Sequence, residues 1–64
     1  MAKRWTARRM RQLRLELELS QTDFGKVLGL GLRHVRRLEK GETPLGKLHQ
    51  LALSQVAEKE GIEI

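Results

Sequence analysis

Helix start signals recur along this chain of 64 residues wherever the apolar spacing is three or four rather than two, and no linker or repeat separates them. A chain built this way folds as several short helices. Thr6 is placed to cap a first helix on which Ala7, Met10, Leu13, Arg14 and Leu17 share a face, with Trp5 packing on Met10 as a hydrophobic staple. Ser20 with Asp23 makes a capping-box-like start for a second, where Leu19 lies over Phe24 and Gly29 stops the helix after Leu28. The third runs from a Gly31 N-cap to a C′ glycine at Gly41, with Leu30 and Val35 as staple partners. Thr43 and Pro44 read as a cap plus a first-turn proline opening a fourth helix, with Leu45, Leu48, Ala52 and Val56 along one stripe, fading near Glu60. Residues 61–64 alternate apolar and charged and read as a frayed end. Leu15 to Leu19 alternates like a strand, but without a second strand signal it cannot make a stable sheet, so the first helix is expected to reach about Leu17.

The predicted fold class is therefore all-α, four helices in a single domain over residues 1–64. A core of this size without disulfides is worth about 3–5 kcal/mol, so a second copy would add to stability. The absence of cysteine removes thiolate zinc sites and thiol nucleophiles, and fits a reducing compartment. No run approaches the roughly 20 apolar residues of a membrane span and no signal-peptide core follows Met1, which predicts a cytoplasmic protein.

Charge is divided unevenly. Residues 1–47 hold 12 Lys+Arg and 5 Asp+Glu, net +7, while residues 48–64 hold one Lys and 3 Glu, net −2. A basic body with an acidic tail points to a polyanionic partner for the body. Placement on the third helix sharpens this. At about 100° per residue from Arg33, Lys40 falls near −20°, Arg37 near +40° and Arg36 near −60°, whereas Leu38 and Val35 fall near 140° and 200°. Two apolar residues face one way and four cations the other. Like charges at i and i+4, Arg33 with Arg37 and Arg36 with Lys40, repel by a few tenths of a kcal/mol. An ordinary solvated face explains such a pattern less well than a helix sized for the roughly 12 Å major groove, where Arg reaches guanine and Lys or Arg neutralises phosphate.

The run Leu19-Ser20-Gln21-Thr22-Asp23-Phe24-Gly25-Lys26-Val27-Leu28-Gly29-Leu30, followed by Val35-Arg36-Arg37-Leu38-Glu39-Lys40-Gly41, resembles the helix-turn-helix of the phage Cro and repressor family, the XRE type. The likeness spans about residues 7–60, with the motif itself over about 20–40. It implies a lambda-repressor-like fold whose second motif helix enters the major groove, usually in a homodimer on a pseudo-palindromic operator. By position, Gln21 is similar to the family glutamine that holds a phosphate and buttresses a base-reading side chain. Leu32, Arg33, Arg36 and Arg37 match the base-facing positions, and Lys40 and Thr43 the phosphate-contacting end and loop. Arg14 and Glu39 match a pair that forms a largely buried salt bridge in family members. The chain departs from the family in three places: Glu18 stands where Gly or Asn usually ends the first helix, Leu38 replaces a frequent tryptophan, and the loop from Gly41 to Pro44 is short.

Thr22 and His34 flank the expected interface as further phosphate contacts, and Lys3 and Arg4 form a basic terminus that can reach the backbone. His34 and His49 are the only histidines, on different helices and with no cysteine to join, so no metal site is expected and no cofactor; His49 reads as a surface side chain. Trp5 and Phe24 read as core, and Glu16, Glu18 and Asp23 have no nucleophile to serve, so no enzymatic activity is expected. Leu51, Leu53, Ile62 and Ile64 are candidates for a two-fold contact. The functional expectation is a sequence-specific transcriptional regulator of Cro-like type, binding a double-stranded DNA operator as a homodimer in a bacterial or phage-infected cell. The alternatives are an antitoxin that also masks a toxin, an RNA-binding or protein-bridging helical module, or a regulator that meets polymerase. Within these 64 residues no inducer pocket is expected beside the DNA-binding domain.

Overall fold

The computed structural model describes residues 4–63, so Lys3 and Ile64, singled out above, lie outside the described residues. Four helices follow one another: α1 Ala7–Glu16, α2 Gln21–Leu28, α3 Leu32–Lys40 and α4 Lys47–Glu60. No strand occurs among the described residues. The fold is all-α, as the spacing predicts.

The first three helices begin and end on the residues that chemistry selects. The Thr6 side chain accepts from the Arg9 N–H and the Ser20 side chain from the Asp23 N–H, each satisfying one of the donors that a helix start leaves open. Gly29 and Gly41 close α2 and α3 in the left-handed region at φ 75° and 80°. At the end of α1 the same task falls to Glu18, at φ 57°, in a conformation that a side-chain-bearing residue adopts at an expense of order 1 kcal/mol. The Leu19 N–H still reaches the Arg14 carbonyl at 3.2 Å, so the helix closes despite the residue.

The α2–α3 corner is set by close backbone approach. The Leu30 N–H bonds the Gly25 carbonyl at 2.7 Å, and a Cβ on Gly25 would lie 2.5 Å from the Leu30 carbonyl oxygen. Only glycine fits there without moving the corner. Around it the core gathers Met10 and Leu13 of α1, Phe24 of α2, Val35 and Leu38 of α3, and Leu53 and Ala57 of α4, with Trp5 and Leu45 closing its ends.

The start of α4 differs from expectation. Its N-cap is Gly46, and Thr43 and Pro44 remain in the loop. The reason is tertiary: Leu45 is buried from the loop before α4, and the Gln50 side chain accepts from the Trp5 N–H at 2.6 Å while donating to the Trp5 carbonyl at 2.8 Å. That clasp, with the Trp5 indole N–H donating to Ser54 Oγ at 2.9 Å, fixes which side of α4 meets the body. The buried stripe is thus Leu53 and Ala57, turned by roughly 100° from the predicted one. Leu48, expected inside, is 80% exposed.

Two expectations near the C-terminus are corrected with it. Leu53, proposed for a two-fold contact, has no exposed surface, because it fills the centre of its own chain's core. The end does not fray directly after Glu60: Gly61 closes α4 at φ 68°, the Ile62 N–H bonds the Ala57 carbonyl at 2.9 Å, and Ile62 packs half-buried against the core. The alternating stretch Leu15 to Leu19 becomes the last turn of α1 and its exit, with Leu17 and Leu19 half-buried and Leu15 exposed.

Candidate nucleic-acid interface

α3 is divided lengthwise. Val35 and Leu38 have no exposed surface, while Arg33, Arg36, Arg37 and Lys40 are all exposed. The one acid of the helix, Glu39, is turned away from them into the body. It receives a two-pronged hydrogen bond from Arg14, with Nε to Oε2 at 2.8 Å and Nη2 to Oε1 at 3.1 Å, and its side chain is 4% exposed. Arg14 also donates to the Leu19 carbonyl at 3.0 Å. One guanidinium therefore joins α1, α3 and the entry to α2, and it removes the only negative charge of α3 from the cationic face. Charges paired this way are rigid and specific in direction.

Gln21 opens α2 beside this bridge, and its amide donates to Glu39 Oε1 at 3.4 Å. With Ser20 occupied by the Asp23 N–H, the backbone N–H groups of Gln21 and Thr22 stand at the open, positive end of α2, where helix geometry favours an anion. Thr22 is exposed. Arg11 of α1, Gln21 and Lys40 line one shallow cleft over the Arg14–Glu39 bridge, of about 270 Å³ and open to solvent. Arg11 was not among the residues that spacing selects, since nothing in the order of the chain links it to Lys40. Lys40 has Glu42 at 4.0 Å across two exposed side chains, a pairing that solvent and salt weaken.

The remaining candidates fall at the margins. Leu32 is half-buried at the first position of α3, and Thr43 is half-buried in the loop after it. Arg4 is exposed, and its carbonyl accepts from Arg9 Nη1 at 2.7 Å, so its backbone is tied to α1. His34 borders the cationic face and meets His49 of α4, with Nε2 to Nε2 at 3.1 Å. Spacing in the chain gave no hint of this pair, 15 residues apart and on separate helices.

A helix with an exposed, acid-free cationic face, braced from behind and preceded by a short helix across a glycine corner, defines a helix-turn-helix domain. A family model described as helix-turn-helix matches residues 10–52, roughly two thirds of the chain, and the chain belongs to that family, the XRE-type, Cro-like DNA-binding regulators. Searches of the curated proteins and of the solved structures return no significant match. No helix among the described residues is long and apolar enough to cross a membrane.

Proposed function

We propose that the chain is a Cro-like repressor that binds a pseudo-palindromic operator as a homodimer. The observation that carries this reading is the lengthwise division of α3, with Val35 and Leu38 fully buried and four cations exposed on the other side. In the proposal Arg33, Arg36, Arg37 and Leu32 read base edges, with Gln21 steadying them. Gln21, Thr22, His34, Lys40, Thr43, Arg4 and Arg11 hold phosphates on either side.

Dimensions support a pair. The domain is 29 Å in its longest direction and presents one α3, whereas half-sites read on one face of the duplex lie about 34 Å apart. The α4 residues Leu48 and Leu51, 80% and 55% exposed, supply apolar surface for a second copy in place of Leu53. The test is selection from random duplex DNA at two salt concentrations, followed by Arg33→Ala, Arg36→Ala and Arg37→Ala on the enriched site. An inverted repeat should emerge, and each base-reading arginine should lose about 1–3 kcal/mol there and relax one base position. A pool that stays random and washes off with salt overturns the reading, and points instead to RNA or a protein partner.

A further inference from the structure

We propose that His49 is a positioning residue for DNA contact: it fixes His34 as an uncharged ring with its proton on Nδ1, leaving one neutral N–H donor for a phosphate at the edge of the cationic face. The inference rests on the reading of α3 as the DNA-facing helix, and it follows from the direction of two hydrogen bonds. The backbone N–H of Gly46, N-cap of α4, lies 3.1 Å from His49 Nδ1. An amide N–H only donates, so His49 Nδ1 accepts and the ring carries its proton on Nε2. That nitrogen is 3.1 Å from His34 Nε2, which must accept in turn, so the proton of His34 sits on Nδ1. The polarity therefore runs one way, from the first turn of α4 through two rings to α3.

The rings meet edge to edge through these two nitrogens, with centroids 5.2 Å apart and planes inclined by 34°. His49 is also the third residue of α4, where a side chain reaching back to the N-cap N–H is the second half of a capping box. A helix-capping bond thus sets the orientation of a ring on another helix. The same polarity argues against a two-histidine metal site, which needs a lone pair on both Nε2 atoms: His49 would have to move its proton to Nδ1 and give up Gly46. His49 also borders a small apolar cavity that Met10, Leu28, Leu38 and Leu53 line with it. His34 is exposed on the flank of α3 next to Arg37, at about +100° from Arg33 against about +40° for Arg37.

The experiment pairs nitrogen-15 NMR of the histidine rings in the full chain with binding to a short random-sequence duplex at two salt concentrations. The variants are His34→Ala, His49→Ala, the double alanine variant and His49→Gln. Glutamine offers a carbonyl to Gly46 and an N–H to His34, preserving the polarity. The expected spectra place protons on His34 Nδ1 and His49 Nε2, with the His34 assignment lost in His49→Ala and retained in His49→Gln. Expected binding is about three- to tenfold weaker for either alanine variant, no weaker for the double, and near wild type for His49→Gln. Because a neutral donor displaces no counterion, the salt dependence should stay unchanged in all of them. A wild-type His34 protonated on Nε2, full affinity in His34→Ala, or additive losses in the double variant each overturn the proposal. A wild-type chain that binds no duplex while showing the expected tautomers overturns the DNA reading, and the contact with it.

Discussion

Two polar clasps hold this domain together, and they differ in almost every respect. The first is charged and lies behind α3, where Arg14 grips Glu39 and the Leu19 carbonyl, with Gln21 alongside. The second is neutral and ties the segment before α1 to α4, where Gln50 takes both the N–H and the carbonyl of Trp5 and Ser54 takes its indole. The charged clasp joins the three helices around the candidate interface, and it has to exist as a pair, since either partner alone would be a charge with little access to water. The neutral one attaches the N-terminal segment to α4 and decides how that helix is rotated. A charged clasp makes assembly of its helices all-or-none, whereas a neutral one sets orientation at a smaller expense if broken.

The largest expected effect is therefore at Glu39. Glu39→Ala should lose about 3–5 kcal/mol in urea denaturation followed by circular dichroism, comparable with the whole stability expected of so small a core. Replacing both partners, Arg14→Met with Glu39→Leu, should recover most of that loss, because no charge is then left stranded. A loss under about 1 kcal/mol for the single variant would put the bridge in the class of exposed ion pairs and dissolve the contrast. Gln50→Ala should come next, at about 2 kcal/mol, since it unpairs a donor and an acceptor that are only partly reached by water. Hydrogen exchange should then rise at Trp5 while the amides of α3 stay protected; equal loosening of α3 would show one clasp rather than two. The smallest effect is a gain: Glu18→Gly should add about 0.5–1 kcal/mol by relieving the left-handed residue just ahead of Leu19. No gain would mean that the glycine's freedom in the unfolded chain offsets the relief.

The same contrast explains which parts of the molecule can be read from the order of residues. The starts of α1 and α2 are local devices, a hydroxyl three residues from the N–H it accepts, and the bounds of α3 are glycines; all of these are visible in the chain. The charged face of α3 follows from angle alone. The start of α4 is not local: Thr43 and Pro44 carry a helix-start signature as sound as that of Ser20, but burial of Leu45 and the grip of Gln50 on Trp5 override it. Within the candidate interface, Arg33, Arg36 and Arg37 share one helix and so have a spacing to detect. Arg11 beside Lys40 and His49 against His34 come from separate helices, and contacts of that kind have no period in sequence.

The corner at Gly25 makes one further consequence plain. Because α2 and α3 meet through main-chain atoms, a carbonyl against a bare Cα, their mutual angle is independent of the outward side chains of α3. Those side chains are likewise absent from the core. Under the proposed function, preference for one DNA sequence and the ability to fold reside in separate sets of atoms, so an entire outward face can be exchanged for another, by drift or by design, on a frame that does not notice the substitution.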